Sequence, residues 1–519
     1  MSPTASALLL TAPAAVPLAL AGVYALTGLR TRRPAPVTVP AAHGSVSVLV
    51  AEAPEPEPPT AWAGLLSPAV ILLCASLLAA DVIDDGPVAV YSGLLRADAL
   101  TAWMLLVIGT VALVACASAP AYLAGERATG RTAARYHSLV HGFLAAMSLA
   151  VLTANLGVLW VAIEATTIVT AFLVGHRHTR TSVEAAWKYV VICSAGIALA
   201  FLGTVLLYYA ARQAGIAEAW ALDWPTLVAR ADRLDPAVTR LGITLVVLGY
   251  GAKAGLVPLH AWLPDAHSQA PAPVSALMSG VLLSVAFAAI LRYRVIADAA
   301  LGPDFTRVLL AGIALLTLVL AAGLLLAQRD YKRMLAYSSM EHMSLITLAA
   351  AIGSPLALSA ALLHIGGHGL AKSVAFCASG HLLRLTGTTR IGRVRGLLTR
   401  APLLGGAFGL AVVALLGFPP FSLFASELGI ARAGFAAGAG LGWATAGALL
   451  LVLVAFAAIV ARTARMLLGP APAPAEPDSA ATLATWPLTL GLAACAALGI
   501  TTGPLTDLLD AAAQAIGGH

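Results

Sequence analysis

Long apolar stretches separated by short polar connections run through the chain from end to end. Each is long enough to cross a hydrocarbon core about 30 Å thick as a helix. The stretches are rich in Ala, Leu, Val and Gly and lack the alternating polarity of barrel strands, which favours helices. The pattern predicts an all-α polytopic membrane protein with about 14 transmembrane helices. They are expected at residues 5–28, 62–80, 99–123, 136–153, 156–176, 184–210, 237–265, 271–296, 304–327, 332–352, 356–386, 402–438, 441–468 and 483–503.

Two of the predicted helices contain helix-breaking residues. The seventh contains Gly251, Gly255 and Pro258, and the twelfth reads GFPP at residues 417–420. Proline removes a backbone donor and clashes with the preceding turn, and irregular backbone at membrane depth is tolerated only where it is buried or lines a polar cavity. The breaks lie five helices apart, and five is odd, so a second copy must be inverted. The sequence therefore predicts two inverted five-helix repeats with broken helices 7 and 12, an arrangement typical of transporters.

These assignments divide the chain into five parts. Residues 1–95 hold N-terminal transmembrane helices and a Pro/Ala-rich loop, and 96–135 hold helix 3 and a cytoplasmic loop. The two repeats are expected at 136–300 and 301–470, and a C-terminal helix and tail at 471–519. The Pro/Ala-rich connection, residues 34–60, is predicted to be a flexible loop.

Basic residues indicate the orientation of the chain. They cluster after the first, third, fifth, ninth, eleventh and thirteenth helices, which all end on the same side. Cytoplasmic loops carry an excess of Lys and Arg, so this side is expected to be cytoplasmic. We therefore predict a multi-pass protein of a bacterial inner membrane with both termini in the periplasm.

Composition narrows the function. The chain is 60% hydrophobic and 10% charged, whereas soluble globular proteins contain about 25% charged residues. The five cysteines lie singly in apolar segments, which argues against an iron–sulfur cluster, a structural zinc or a disulfide framework. Neither a dinucleotide fingerprint nor a phosphate-binding loop is present. We therefore expect no cofactor, metal or catalytic residue in this chain, and any redox centres would belong to partner subunits.

Lysine is rare in this chain and placed unusually. The 30 basic residues include only four lysines, although this bias could reflect a GC-rich genome. Lys188, Lys253 and Lys372 fall inside predicted helices, whereas most arginines fall in loops. A desolvated lysine can lose its proton, but arginine effectively cannot. These three lysines are therefore the first candidates for proton chemistry.

Ionisable side chains at mid-helix positions form the candidate site. Each costs about 2.5–3.5 kcal/mol on insertion scales, so such residues are usually functional. Burial lowers a lysine pKa by up to about 3–5 units, and a nearby carboxylate raises it again, so a change at the carboxylate can switch the lysine. His364, His368 and Lys372 follow one another at intervals of four and form one stripe. The predicted proton-translocating residues are Glu164, Lys188, Lys253, Glu341, His364, His368, Lys372 and Glu427.

Several of these residues also have a simpler explanation. Glu164 could be a protonated acid bonded to a neighbouring helix, and Lys188 could extend to the membrane surface. The two histidines of the stripe could be hydrogen-bonded core residues, and Glu427 could cap the half-helix after the second break. Outside the set, His267 is interpreted as a residue that orders a turn, and Arg292 and Arg294 are interpreted as interfacial anchors.

The inverted repeat adds a prediction about Glu341. If the repeats are equivalent, Glu341 approaches Lys372 and tunes it as Glu164 tunes Lys253. The alternative is that Glu341 and His342 face a neighbouring subunit. The residue pairs expected from the repeat are Glu164 with Glu341, Lys188 with Lys372, and Lys253 with Glu427.

Two sequence blocks resemble a known family. Residues 249–267 read GYGAKAGLVPLHAWLPDAH, and residues 331–339 read YKRMLAYSS. Both resemble the antiporter-like subunits of respiratory complex I, membrane-bound hydrogenases and Mrp-type cation/proton antiporters. The similarity covers roughly residues 95–470, and the first block is highly specific. Within that family, WVAIEATT at 160–167, AAWKYV at 185–190 and SSMEHM at 338–343 look most like component F of hydrogenase-4-type complexes.

The resemblance implies roles for several residues. It implies a charge pair formed by Glu164 and Lys253, a central relay through the helix-11 stripe, and an exit-side residue at Glu427. Many relatives carry Lys or His in helix 8, where this chain has Ser279 and Ser284. That departure leaves a gap between Lys253 and His364, which water or serine hydroxyls would have to bridge.

These observations predict the proton-translocating membrane subunit of a complex I-related redox complex of hydrogenase-4 or formate-hydrogenlyase type. Its partners would be other membrane subunits and a peripheral hydrogenase-like or dehydrogenase-like arm. A nickel–iron centre, iron–sulfur clusters or a quinone would lie in those partners. The alternatives are a subunit of a Mrp-type cation/proton antiporter and a non-pumping membrane anchor for a hydrogenase or carbon-uptake partner. The sequence leaves open the direction, the stoichiometry and the choice of H⁺ or Na⁺, although a lysine-rich path favours protons.

Overall fold

A computed structural model of the chain describes residues 2–30, 37–41, 44–48, 59–126, 128–470 and 485–517. Helices dominate this part of the chain, and each predicted apolar segment coincides with a helix or with two consecutive helices. Three long helices precede the predicted repeats: α1 (Pro3–Arg30), α2 (Leu66–Asp85) and α3 (Ala99–Gly125).

The segment predicted as the first repeat contains eight helices. Its two broken or interrupted segments are α8 with α9, and α10 with α11. The helices are α4 (Gly130–Leu152), α5 (Leu156–Val174), α6 (Arg180–Gln213), α7 (Trp224–Ala229), α8 (Pro236–Lys253), α9 (Leu263–Gln269), α10 (Ala272–Leu277) and α11 (Leu283–Leu301).

The remaining helices include the second broken segment, α16 with α17. They are α12 (Pro303–Ala327), α13 (Tyr331–Ile352), α14 (Pro355–Thr386), α15 (Leu397–Arg400), α16 (Pro402–Leu415), α17 (Ser422–Ala436), α18 (Ala439–Leu467), α19 (Trp486–Ile500) and α20 (Thr506–Gly517). Among the described residues, eight helices are long and apolar enough to cross a membrane. The prediction of a helical, multi-pass membrane protein is therefore confirmed at that level.

The structure differs from an all-α chain in two short antiparallel hairpins. One joins β1 (Val37–Ala41) to β2 (Gly44–Val48), inside the segment predicted to be a flexible loop. The other joins β3 (Val88–Val90) to β4 (Leu95–Ala97). The flexible-loop prediction is thus wrong for the first hairpin, since alternating Val and small residues suit strand pairing. Most of the rest of 34–60 lies outside the described residues.

The centre of the molecule is formed by α10–α11, α13 and α14. Residues 272–291 are all buried, and α13 and α14 are buried along most of their length. Gly280 and Gly369 let two of these helices touch through their backbones, because a Cβ at Gly280 would lie 2.9 Å from the Gly369 carbonyl oxygen. Gly280 belongs to a π-helical turn, Met278–Leu282, between α10 and α11. Such turns occur frequently at functional sites.

The two helix breaks have the same local design. Helix α8 ends at Lys253 and is followed two residues later by Gly255 with φ 77°, and α16 ends at Leu415 before Gly417 with φ 65°. Glycine adopts this left-handed conformation without the steric cost of a Cβ. The breaks therefore match Lys253 with Leu415, which contradicts the predicted pairing of Lys253 with Glu427. Glu427 lies on α17, after the second break, and the residue at the same distance from Gly255 as Glu427 is from Gly417 is Asp265.

A buried ion pair ties the start of α3 to α11. The Asp98 carboxylate accepts a hydrogen bond from the Thr101 amide at 3.0 Å and forms two bonds with the Arg292 guanidinium, one of them at 2.7 Å. Arg292 also lies over the Trp224 ring. Burial alone would raise the pKa of Asp98, but the guanidinium and these hydrogen bonds lower it to about 2. Arg292 thus joins α11 to the start of α3 through Asp98, and its interfacial anchoring stays a prediction.

Removing the Asp98 carboxylate is expected to destabilise the fold. Asp98→Ala leaves the Arg292 charge unpaired and buried, which costs about 3–5 kcal/mol of unfolding free energy. Because the folded pKa of Asp98 is depressed, its contribution is present above about pH 4 and is lost as the pH falls towards 2. Unfolding of the purified protein in detergent, followed against temperature, measures the effect. The control is Asp304→Ala, which breaks the exposed Asp304–Arg307 pair, and equal losses in the two variants would contradict the prediction.

Candidate functional site: buried lysine and histidine side chains

Lys253 is fully buried at the last residue of α8. Its ammonium donates a hydrogen bond of 2.7 Å to the Tyr189 hydroxyl and lies 5.1 Å from the centre of that ring. The C-terminal end of a helix favours a positive charge. Trp262 stabilises the same break by donating its indole N–H to the Ala252 carbonyl at 2.8 Å. The break thus holds one ammonium in the interior with a hydroxyl as its partner.

Glu164 lies half-buried on α5, near Lys253 but not in contact with it. Among the described residues no ion pair within 4.0 Å joins the two side chains, although Glu164 is one of the charges that interact with Lys253 electrostatically. The buried Oε2 atom of Glu164 has no hydrogen-bond partner in the described part of the chain. The arrangement is a separated pair, and Tyr189 takes the contact that the carboxylate was expected to make.

Lys188 is not a buried residue, contrary to the prediction. Its side chain is 46% exposed on α6 and pairs with Glu184 at 2.7 Å and Asp265 at 3.2 Å. Asp265 also pairs with Arg333 at 3.1 Å. The physical reason is position, because Lys188 lies only two turns into α6 on the side that faces outward. The alternative weighed for Lys188, a side chain that reaches the surface, describes it better.

Lys372 lies fully buried near the middle of α14. It donates to the Leu335 carbonyl oxygen at 2.7 Å and to the Ser338 hydroxyl. Ser339 donates to the same carbonyl at 3.1 Å and, since its only proton is used there, accepts from Ser279 at 2.7 Å. Ser279 is therefore linked to Lys372 by hydroxyl and carbonyl groups on α13. Among the described residues this chain reaches neither Lys253 nor His364, so the bridge across that gap stays a prediction. The hydroxyl of Ser284 has no partner in the described region.

His364 and His368 lie on α14 on either side of His342 from α13. The ring of His342 lies 5.1 Å from each of the other two rings, centre to centre. His342 Nδ1 and His364 Nε2 form a hydrogen bond of 3.1 Å, and His364 Nδ1 lies 2.9 Å from the Ser426 hydroxyl. All three histidines are buried. We refer to His342, His364 and His368 as the histidine cluster.

The hydrogen bonds fix where the protons lie in the neutral cluster. Ser426 donates its proton to the Leu423 carbonyl at 2.9 Å, so it accepts from Nδ1 of His364. The Nε2 atom of neutral His364 then carries a lone pair and accepts from Nδ1 of His342. His342 Nε2 and both nitrogens of His368 have no partner among the described residues. Such buried nitrogens are usually satisfied by ordered water.

Glu427 lies half-buried on α17, beside Ser426. One ligand atom from each of His342, His364 and Glu427 lies within 4.8 Å of the others. A Cβ at Gly417 would be 3.0 Å from the Glu427 carboxyl carbon, so the second break leaves room for this carboxylate. Glu427 also borders a cavity of about 20 Å³ between α13, α17 and α18, enough for about one water molecule.

Glu341 and His342 are buried on α13, so in this chain they do not face outward as the alternative supposed. No ion pair within 4.0 Å joins Glu341 to Lys372 among the described residues, although Lys372 and Glu427 are the charges that interact with it electrostatically. The Oε2 atom of Glu341 has no hydrogen-bond partner in that region. Glu341 thus resembles Glu164 in being a separated carboxylate near a lysine.

Three buried basic side chains were missed as site residues: His342 of the histidine cluster, His267 and Lys332. His267, predicted to order a turn, is fully buried in α9, where its ring stacks on Phe376 at 5.2 Å and lies 6.2 Å from Trp262. Trp262 in turn contacts Tyr189 at 5.0 Å, so His267 lies between the Lys253 region and α14. Lys332, at the predicted start of the tenth helix, is buried and donates to the Ala270 carbonyl at 3.4 Å. The sequence does not indicate whether a lysine at the start of a helix, such as Lys332, points into the protein or out of it.

A family model described as "NADH:quinone oxidoreductase/Mrp antiporter, TM" matches residues 153–453. The chain is 40% identical over 301 residues to a hydrogenase-4 component F homolog of Methylacidiphilum infernorum, covering 58% of this chain and 63% of the relative. It is 29% identical over 450 residues to NADH-quinone oxidoreductase subunit N of Salinispora arenicola, covering 83% and 85%. In three such relatives, a hydrogenase-4 component F homolog, an NADH-quinone oxidoreductase subunit N and a hydrogenase-4 component B, the aligned part covers 63%, 66% and 50% of the relative's length. The chain thus spans about two thirds or less of each.

Solved structures show the same fold. A chain of an archaeal membrane-bound sulfane sulfur reductase is similar with a TM-score of 0.83 and 25% identity, covering 100% of this chain and 98% of that chain. A chain of the Mrp complex of a Dietzia species is similar with a TM-score of 0.81 and 23% identity, covering 98% and 96%. The protein is thus an antiporter-like integral membrane subunit related to those of hydrogenase-4 and NADH–quinone oxidoreductases. With more than half of its residues matched by the family model, the chain belongs to the NADH:quinone oxidoreductase/Mrp antiporter transmembrane family.

Proposed function

We propose that this chain translocates protons in a complex I-related redox assembly of hydrogenase-4 type, through a buried relay from the Lys253 region to Glu427. The observation that carries the proposal is the histidine cluster with its direct His342–His364 hydrogen bond in the interior. A buried chain of titratable groups is costly in a membrane protein and is typical of proton relays. A scaffold would gain nothing from it.

The order of groups suggests a route. Asp265 is partly exposed beside Lys188 and Arg333, and two residues further along the chain His267 is buried. His267 lies between Trp262 and Phe376, in the region of the gap between Lys253 and His364, and its two ring nitrogens have no partner in the described part of the chain. No described hydrogen bond joins Lys253 to Ser279, so we expect ordered water near His267 to complete this part.

The second half of the route continues along α14. Along the proposed route, protons would pass from Lys372 to His368, which lies one turn away on α14. They would then pass through His342 to His364. Glu427, with its water-sized cavity, would exchange protons with the far side. By the positive-inside rule the basic loops are cytoplasmic and the far side is periplasmic.

The chemistry of the ligands favours protons over Na⁺. The line is built from ammonium and imidazole groups, whereas hard cations prefer oxygen ligands. Electron transfer in a peripheral arm would drive charge changes at Glu164 and Glu341, and these would alter proton affinity at Lys253 and Lys372. Nickel–iron, iron–sulfur or quinone centres would belong to partner subunits.

The test combines composition with function. The complex is purified from membranes through a tag on this chain, its subunits are identified, and proton uptake is measured in vesicles during redox turnover. Co-purification of a nickel–iron large subunit and turnover-linked proton movement would support the proposal. Recovery only with small antiporter subunits, and proton movement driven by a cation gradient, would instead favour a Mrp-type antiporter.

Glu164→Gln is expected to impair proton uptake, because loss of the charge near Lys253 makes that lysine easier to deprotonate. Glu164→Asp keeps the charge and should retain part of the activity. The ratio of protons moved to electrons transferred measures both effects. The control is Glu184→Gln, since Glu184 is an exposed partner of Lys188. An unchanged ratio in Glu164→Gln would show that the separated pair has no function.

A further inference from the structure

We propose that His342, His364 and Glu427 form a binding site for a divalent transition-metal ion, with Zn²⁺ as its typical ligand. The site would be inhibitory, since an ion there would occupy the atoms through which protons pass. Inhibition rests on the proposed function, whereas metal binding stands on the geometry alone.

The three side chains are already close to a coordination geometry. Their ligand atoms lie within 4.8 Å of one another, and His342 Nδ1 and His364 Nε2 are 3.1 Å apart. With Zn–N distances of about 2.0–2.1 Å, two nitrogens of a tetrahedral site lie about 3.3 Å apart. The separation of the two nitrogens is thus within a few tenths of an ångström of that in a zinc site. Both rings must turn so that their lone pairs meet at the ion, and the Glu427 carboxylate must move closer.

One of the two imidazoles is oriented as metal-binding histidines usually are. The Nδ1–H of His364 donates to Ser426 at 2.9 Å, and Ser426 is held by the Leu423 carbonyl. A hydrogen bond from the second ring nitrogen fixes the tautomer and raises the basicity of the first. Nε2 of His364 thus carries the lone pair available to an ion, and in the ion-free cluster that lone pair faces Nδ1 of His342.

Binding requires one proton to move. His342 carries its proton on Nδ1, the atom that would bind the ion, so that proton must shift to Nε2. Nε2 of His342 has no partner in the described part of the chain, so it can take up the proton. The step is a tautomer change in which no proton is lost and nothing is oxidised or reduced. Glu427 supplies one negative charge, and water in the adjoining cavity can supply a fourth ligand.

The donor set selects among ions. Two imidazoles and one carboxylate are the protein ligands of many zinc sites and suit other first-row transition metals. Na⁺, Mg²⁺ and Ca²⁺ prefer oxygen ligands and would lose hydration without adequate replacement. The cavity beside Glu427 is also lined by Thr445, whose buried hydroxyl has no partner among the described residues and can hydrogen-bond a water ligand of the ion.

The consequence for proton transfer is direct. A bound ion would use the lone pair of His364 Nε2 and that of His342 Nδ1, and it would replace the hydrogen bond between them. Neither imidazole could then accept a proton at the blocked atom. Wild-type proton uptake should therefore fall on addition of Zn²⁺ and return when a chelator removes it.

The experiment measures zinc bound to the whole complex. The purified complex is equilibrated with ZnCl₂ and desalted, its zinc content is determined, and X-ray absorption at the zinc edge reports the ligands. We expect His342→Asn and Glu427→Gln each to retain one equivalent less per complex than the wild type. His141→Asn is the matched control, because His141 is a fully buried histidine on α4 outside the cluster, and it should retain the wild-type amount.

The outcomes separate the two proposals. Equal zinc content in the wild type, His342→Asn and Glu427→Gln would overturn the metal site, whatever happens to proton uptake. Glu427→Gln keeps the shape of the side chain, so its size-exclusion profile together with that of His141→Asn shows whether assembly is intact. A different result is also possible, in which His342→Asn and Glu427→Gln each lose one zinc equivalent while Lys253→Met keeps wild-type proton uptake. That result would support the metal site and contradict the proposed function.

Discussion

Lys253→Met is expected to abolish proton uptake while the complex assembles and still transfers electrons. Methionine keeps the length and apolar contacts of the lysine stem, so the packing around the break should survive. Only the ammonium that donates to Tyr189 is removed. A positioned acid or base typically contributes on the order of 10²–10⁴-fold to a proton-transfer step. We expect a loss of at least the lower value in redox-driven proton uptake by vesicles.

The matched control for this variant is Lys188→Met. Lys188 also lies within the residues that the family model matches and carries the same charge, but it is exposed and paired with Glu184 and Asp265. An exposed ion pair contributes little energy, so most of the proton uptake should remain. Equal losses in both variants would indicate a general effect of charge, and wild-type uptake in Lys253→Met would remove Lys253 from the mechanism.

His342→Phe is expected to have the second large effect, and this prediction comes from the tertiary structure. The phenyl ring fills the space between the α14 histidines but can neither donate to His364 nor accept a proton. Breaking the one direct imidazole–imidazole bond of the relay should lower proton uptake on the order of 10²-fold. Electron transfer should continue, so the ratio of protons to electrons is the quantity to measure.

The control here is His141→Phe. His141 is as deeply buried as His342, and its two ring nitrogens also have no partner among the described residues, yet it stacks on Tyr24 away from the cluster. A similar fall in both variants would mean that any buried histidine disturbs the fold when replaced. An unchanged ratio in His342→Phe would show that protons do not pass through the cluster.

Local sequence determined the helices and their breaks. Runs of apolar residues long enough to cross a bilayer have few alternatives to a helix, because backbone groups must be satisfied internally. Gly255 and Gly417 marked the interruptions, since their left-handed backbone follows the helix ends directly. The burial of Lys253 and Lys372 followed from their position inside apolar segments far from any polar end.

Other features depended on how the helices pack. Lys188 also fell in an apolar segment, but the direction of its side chain was set by which face of α6 remained unpacked. His267 and Lys332 were expected at the surface, because α9 and the first turn of α13 are polar in sequence and lie at the ends of apolar segments. Burial came from contacts such as the stacking of His267 on Phe376, which is remote along the chain.

By itself, the sequence determined that this protein is a helical membrane protein, where its long apolar helices lie, where two of them break, and which family it belongs to. These features depend on hydrophobicity, backbone chemistry and short motifs, all of which are local. The tertiary structure alone decided that Tyr189 contacts Lys253, that His342 joins the α14 stripe and that Glu427 lies beside both. Such contacts join residues far apart in the chain, and the rotation and depth of packed helices, which fix the direction of each side chain, are not encoded in any one segment.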